Sequence, residues 1–271
     1  QYVALSQGFV EEEGLAIELS NGGGADKVMT AVLTGQADIG LAGPEACIYV
    51  HNQEKEDAPV IFAQLTKRDG SFLVGRDGGD FSWEDLRGCT VLGGRKGGVP
   101  EMTLEYVLRQ NGLEPGVDVT VDTTVQFNMM AGAFTGGTGD YTTLFEPTAT
   151  EVEQAGKGYV LRSIGQESGE IPYTAYFAAA SYLQDQADTI QRFTRAIARG
   201  QAWVQEHTAE EIAAAIAPQF PDSDLAVLTA VTQPPLERLE TVMEGAGELT
   251  RDQWVDYSAI VDNTFADAAV K

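Results

Sequence analysis

Cysteine and histidine are scarce in this chain of 271 residues. There are two of each, Cys47 and Cys89, His51 and His207. Two lone cysteines build no disulfide scaffold, and with two scattered histidines they give no zinc-ligand spacing. No local Cys–His pairing suggests a thiol nucleophile. Basic residues are also few: 17 Lys and Arg stand against 41 Asp and Glu, a net charge of −24. That balance argues against nucleic acid, whose phosphates must be neutralised by cations, and against anionic membrane surfaces. Its plain meaning is a self-repelling, soluble surface. No apolar run approaches a membrane span; the most apolar stretch, Tyr176 to Ala180, is far too short. No export leader is visible, yet Gln1-Tyr2-Val3-Ala4-Leu5 reads as the middle of an element. The expectation is a chain that begins after a removed segment. Neither repeats nor low-complexity tracts occur.

What is present is a globular composition, 43% hydrophobic, with strand and helix signals that alternate. Val28, Ala31, Val32 and Gly35 give a helix over 26–34, after the loop Gly22-Gly23-Gly24. Ala37 to Ala42 reads as a buried strand, and a second helix runs from Glu45 to about Asn52. Strands are predicted at Val60–Leu65, Ser71–Gly75, Cys89–Leu92, Val117–Val125, Tyr141–Phe145, Tyr159–Leu161 and Tyr173–Ala180. Ser82 is an N-cap for a short turn. Pro100 and Glu101 open a helix with Leu104, Val107 and Leu108 on its apolar face and Asn111-Gly112 at its end. Met129 to Phe134 is a further helix, and Pro147 opens another. From about Asp185 the pattern is helical only, with Ile190, Phe193, Ile197 and Val204 on one face. Thr208 with Glu211, and Thr250 with Gln253, have capping-box spacing. The order implies an α/β protein with largely parallel sheets.

Ligands of such sheets sit at strand carboxyl ends and helix N-termini. The candidate residues follow from that rule. Gly93 to Gly98 before Pro100 is a possible cradle of backbone N–H groups, with Gly97 and Gly98 facing a ligand; the plain alternative is a strand–helix turn. It has neither the Lys-Ser/Thr ending of a nucleotide loop nor a dinucleotide fingerprint. Arg95 and Lys96 read as loop charges, with Arg95 a candidate contact. Gly43, Pro44 and Glu45 follow a strand and start a helix, where Glu45 either meets the ligand or merely complements the helix dipole. Gln64 and Thr66 end an apolar strand. Glu146 before Pro147 repeats the choice posed by Glu45. Tyr141, Phe145, Tyr173, Tyr176, Phe127 and Gln126 are candidates to stack on or bond a planar ligand, against the ordinary reading of strand aromatics as core. Met129-Met130 reads as core filling, and both cysteines as free thiols. No catalytic residue, metal site or cofactor is predicted.

Several segments, in order, resemble one family. Tyr2 through Gln7-Gly8-Phe9 and Glu12-Glu13-Gly14-Leu15-Ala16-Ile17-Glu18-Leu19 are similar to the opening of the SsuA/THI5-like (NMT1-like) solute-binding proteins. Leu33-Thr34-Gly35-Gln36-Ala37-Asp38-Ile39-Gly40 resembles their L-x-x-G-x-x-D-I-G segment. Trp83-Glu84-Asp85-Leu86-Arg87-Gly88 resembles the entry to their second lobe, and Gly139-Asp140 to Glu146-Pro147 their E-P region, with Asp140-Tyr141 a departure. The resemblance implies a two-lobed type II periplasmic binding protein with mainly parallel sheets flanked by helices, the family's first strand lying before Gln1. Lobe I would hold 1–76 and 172–271 and lobe II 77–171, with crossings near Gly75-Arg76 and Ile171-Pro172. It implies a monomeric, extracytoplasmic component of an ABC importer, periplasmic or lipid-anchored as a lipoprotein. Such a component passes a small molecule to a membrane permease and does no chemistry. A THI5-like pyrimidine-synthesis enzyme and a ligand-sensing domain of the same fold are the alternatives. Glu45, Glu146 and the aromatics favour a neutral or weakly cationic planar ligand such as a pyrimidine over a sulfonate or nitrate.

Overall fold

The computed structural model describes residues 1–232. The elements run α1 (Tyr2–Ser6), α2 (Phe9–Glu12), α3 (Ala25–Leu33), β1 (Gly40–Ala42), α4 (Glu45–His51), β2 (Val60–Thr66) and β3 (Ser71–Gly75). After a 3₁₀ turn at Trp83–Leu86 come β4 (Thr90–Leu92), α5 (Val99–Gln110), β5 (Thr120–Asp122), α6 (Phe127–Thr135), β6 (Tyr141–Phe145), α7 (Thr148–Gln154) and β7 (Tyr159–Ser163). The described chain closes with α8 (Ile164–Ser168), β8 (Thr174–Ala178), α9 (Ala180–Asp185), α10 (Ala187–Glu206), α11 (Ala209–Ile216) and α12 (Leu225–Thr232). The described residues form two compact units, one from 1–17 with 191–232, the other from 18–190.

The first unit is helical. Ala4 of α1 is fully buried, and Gly200 of α10 faces it so closely that an added Cβ would lie 3.0 Å from the Ala4 Cβ. Tyr2 meets Phe220 edge-on at 5.3 Å. Arg195 donates to Glu13 at 2.7 Å and thereby lowers the Glu13 pKa. Ile190, Phe193 and Ile197 are buried on α10 as the periodicity predicts, whereas Val204 is 39% exposed, so the apolar stripe ends short of it. The Thr208–Glu211 capping box forms, with both reciprocal bonds present. The predicted Thr250–Gln253 box lies outside the described residues.

The second unit carries two sheets. The first has the order β1-β8-β2, and both pairings are antiparallel, with Leu41 opposite Tyr176 and Ile61 opposite Phe177. Helices α3 and α4 cover it, enclosing Met29, Val32, Cys47, Val50 and Phe177. The second sheet has the order β5-β4-β6-β3-β7. Its β4 pairs in parallel with β5 and β6, while β3 is antiparallel to β6 and β7. Successive residues point to opposite faces of a strand. Leu73 and Val91 therefore join the core under α5 and α8 with Leu86, Leu104, Leu108 and Ile164. Val74 and Leu92 join the other core, with Met130, Phe134, Leu144 and Ala149.

The α/β class expected from sequence holds, but instead of mainly parallel sheets the first sheet is antiparallel and the second mixed. The reason is connectivity: β2 leaves the first sheet and β8 returns to it, so they run in opposite directions, and β3 enters the second sheet on the same terms. The sheets exchange the chain between Thr66 and Ser71, so β3 belongs to the second sheet; the expected crossing near Gly75-Arg76 set it with the first. Four strands are shorter than predicted: β4 starts one residue later, β8 spans only Thr174–Ala178, and β1 and β5 lose their first residues to turns. Gln36 and Ala37 both donate back to the Ala31 carbonyl after Gly35, whose φ is +69°, so β1 starts only at Gly40. Val117 is 81% exposed in a turn closed by Asp118, so β5 starts at Thr120. Helix α8 was not foreseen at all.

Candidate functional site

The two connections between the sheets run side by side. Tyr173 N–H donates to the Thr66 carbonyl at 3.1 Å and Ile171 N–H to that of Lys67 at 3.0 Å. The Thr66 and Thr174 hydroxyls lie 2.7 Å apart, and the Gln64 amide donates to the Thr66 carbonyl. Asp69, at 5% exposure, sits on the first connection. Its Oδ1 accepts the Ser71 N–H and hydroxyl, both at 2.6 Å, and its Oδ2 is buried without a hydrogen-bond partner. Burial raises the Asp69 pKa against the opposing effect of Ser71, Tyr173 and Thr103. Burial, and then the adjacent Asp69 charge, push the Tyr173 phenol up.

Beside these connections, the start of α4 meets the start of α5. Glu45 opens α4 and is 6% exposed. Its Oε1 lies 3.4 Å from both the Val99 amide and the Arg95 Nη2, and its Oε2 is buried with no hydrogen-bond partner. Gly43 is what admits this carboxylate, since a Cβ there would lie 2.0 Å from Oε2. Burial raises the Glu45 pKa, outweighing its own amide, the Val99 amide and Arg95. One turn along α4, the Tyr49 hydroxyl donates to the Gly97 carbonyl at 3.0 Å. Elements of the two sheets are thus tied together by Glu45 and Tyr49 on one side and the β4–α5 loop on the other.

The glycines of that loop have separate causes. Gly94 takes φ +79°, and the Phe127 ring lies where its Cβ would be, 2.5 Å away. Gly97 has φ +74°, and its N–H is taken by the Glu101 carboxylate at 3.0 Å; the Gly98 N–H is taken by the Arg95 carbonyl at 3.1 Å. The N–H groups expected to cradle a ligand therefore have protein partners. Carboxylates, Glu45 from α4 and Glu101 from α5, stand against the loop and the α5 start, where a free helix N-terminus would attract an anion. An apolar groove of ≈ 270 Å³ continues from Val99 and Thr103 past Met102 and Tyr106 to Ile171 and Pro172.

Of the residues singled out in the sequence, Gly43, Pro44, Glu45, Arg95, Gly97 and Gly98 come together here, and Tyr173 feels the Glu45 charge. Gln64 and Thr66 support the connections. Gln126 is the N-cap of α6, and Phe127 meets Phe145 at 5.8 Å near Gly94. Three candidates are placed otherwise. Tyr141 is at the far end of β6, about 13 Å from Phe145 by strand rise, facing Phe81 and the charges of Asp85 and Asp77. Tyr176 is 2% exposed and stacks on Phe62 in the first sheet. Glu146 caps α7 through the Thr150 N–H and hydroxyl. Sequence reasoning missed Asp26, Tyr49, Asp69, Glu101 and Thr103. Only Asp69, before Gly70-Ser71 at a strand start, carried a local turn signal. Among the described residues no three His, Cys, Asp or Glu side chains converge as metal ligands. His51 ends α4, opposite the end that carries Glu45, and His207 stacks on Trp203.

Two sheets flanked by helices that exchange the chain twice give the fold of the type II periplasmic binding proteins, and solved structures of that fold superimpose on it. The alkanesulfonate-binding protein SsuA of Xanthomonas axonopodis pv. citri, bound to MOPS, superimposes with a TM-score of 0.69 at 16% identity, covering 93% of this chain and 91% of that one. The ligand-binding component of an ABC-type import system from Staphylococcus aureus gives 0.71 at 15% identity, over 95% and 92%. In sequence, YtlA of Bacillus subtilis (strain 168) is 41% identical over 98% of this chain and 84% of its own length. The NMT1/THI5-like family model matches residues 1–211, and the chain belongs to that family.

Proposed function

We propose that this protein is the extracytoplasmic solute-binding component of an ABC importer. It captures a small planar molecule rich in N–H donors between two lobes built on the two sheets, and passes it unchanged to a membrane permease. The family and the fold support the binding role. For the ligand, one observation carries the reading: a carboxylate of this chain, Glu45, occupies the N-terminal end of α5, with its second oxygen buried and unpartnered. A buried acceptor without a donor costs about 1–3 kcal/mol, more if charged, so a ligand N–H that reaches it gains that much. An oxyanion would instead meet Glu45 and Glu101 at close range, with Asp69 behind them. The groove beside Val99 and Thr103 supplies an apolar wall for a ring.

Calorimetric titration with a panel of aminopyrimidines and a panel of alkanesulfonates tests this. Binding of the aminopyrimidines alone is expected. Tight sulfonate binding with no pyrimidine response would overturn the ligand class. Mass spectrometry of small molecules released on denaturing the purified protein would identify the solute itself, and conversion of a bound solute to product would overturn the binding role.

A further inference from the structure

The Arg95 guanidinium is shared between two carboxylates, one nitrogen to each. Its Nε lies 3.4 Å from Oδ1 of Asp26, in the first turn of α3, and its Nη2 lies 3.4 Å from Oε1 of Glu45. Well-formed charge-assisted contacts are shorter, about 2.7–2.9 Å, and Arg typically engages one carboxylate with two parallel bonds. Here both contacts are long. Arg95 Nε is buried without a hydrogen-bond acceptor, and Glu45 Oε2 is buried without a donor. A desolvated pair that leaves hydrogen-bonding capacity unused on both sides is weak. The loop that carries Arg95 is flanked by Gly94 and Gly97, both at positive φ, and the side chain is one-third exposed, so it has a route to solvent.

We propose that Arg95 is an internal counter-ion rather than a ligand contact. It holds Asp26 and Glu45 when nothing else does, and the ligand displaces it. This rests on the reading of the ligand as an N–H donor and narrows it. The group that replaces a guanidinium between two carboxylates is one of the same kind, an N–C–N edge with a hydrogen on each nitrogen and a positive charge, as in an amidinium or an aminopyrimidine protonated on its ring nitrogen. Arg95 then sets specificity by competition. It weakens capture of any cation that cannot satisfy both carboxylates, and it closes over the acids again on release.

The test uses calorimetry on the full chain with three probes, benzamidine, 4-aminopyrimidine and methanesulfonate, for the parent, Arg95→Gln and Arg95→Lys. Thermal melts confirm that each variant is folded. Removing the competitor should tighten benzamidine and 4-aminopyrimidine about 5–10-fold in Arg95→Gln, leave methanesulfonate no tighter, and be reversed in Arg95→Lys, which restores a cation without the fork. If Arg95→Gln fails to gain affinity for either N–H probe, whether by weaker, equal or absent binding, the counter-ion role is overturned. The two failures remain distinct. Parent protein that binds the N–H probes while Arg95→Gln binds them no better sinks this inference alone. Methanesulfonate binding by the parent that is lost in Arg95→Gln, with no N–H probe bound, sinks the ligand class as well.

Discussion

The Val99 amide donates to Oε1 of Glu45 across 3.4 Å, so the first turn of α5 faces a carboxylate of its own chain. A helix start usually draws an external anion; here that position is filled from α4. Replacing Glu45 by Gln keeps the shape and removes the charge. A charge-assisted hydrogen bond is worth about 1.5–3 kcal/mol, so Glu45→Gln should weaken 4-aminopyrimidine binding roughly tenfold or more, read by calorimetry. Unchanged affinity would remove Glu45 from the ligand's contacts.

Asp69 should make stability depend on pH. Its folded pKa is raised by burial, so the unfolded carboxyl ionises first as pH rises. The stability it contributes is fully present below the ordinary Asp range and is lost as pH climbs through the folded value. Asp69→Asn preserves the Oδ1 acceptor for Ser71 and removes that dependence. The variant should melt higher than the parent at pH 8, with the difference shrinking toward pH 4. A constant difference across that range would show that the charge is not the cause.

Phe134 is fully buried between β4, β6 and α7, and Arg76 lies 4.4 Å from the centre of its ring. Phe134→Ala should cost about 3–5 kcal/mol in urea unfolding. Leu104→Ala, on the opposite face of the same sheet, should cost about 2–5 kcal/mol. The two losses should add, because the residues belong to separate cores.

The loop glycines should divide sharply. Gly94→Ala meets both a positive φ and the Phe127 ring, so it should destabilise by about 1–2 kcal/mol and disturb the α6 start. Gly98 has φ −85° and ψ 153°, and its added Cβ would lie 3.2 Å from the Arg95 carbonyl. Gly98→Ala should cost less than about 1 kcal/mol. Equal losses in thermal melts would contradict this assignment of the strain.

The Cys47 thiol is buried, and burial, together with the Glu45 charge, pushes it up to about 11. The thiolate is the reactive form. A thiol reagent at pH 8 should therefore label Cys89, which is only half-buried, well before Cys47, and reach Cys47 only on unfolding. Peptide mapping of the labelled sites reads the order.

Much of the fold was legible because its signals are local. The alternation of strands and helices, the Pro100 helix start, the Ser82 and Thr208 caps and the order of family segments all depend on residues a few positions apart. Glycines at turns were legible as turns. Strand ends at Gly40 and Thr120 were not, because Gly35 and Asp118 close turns that consume residues of good strand character. Sheet direction was not either, since it follows from which sheet a strand joins after a crossing.

The site divides along the same line. The sequence by itself determined that Glu45 starts a helix after Gly43-Pro44, that Gly93 to Gly98 leads into another, and that cations are scarce. It could not determine that Glu45 meets Val99, 54 residues on, that Glu101 and the Arg95 carbonyl take the loop's N–H groups, or that Asp69 and Tyr173 lie on two crossings that run side by side. It gave Tyr141, Tyr176 and Glu146 the same standing as Tyr173, because an aromatic in a strand or a carboxylate at a helix start looks alike whichever way it faces. Only the tertiary structure decides those contacts. They are made between segments distant in sequence, and burial, which sets both the energetics and the pKa of each group, exists only once the sheets and helices have packed.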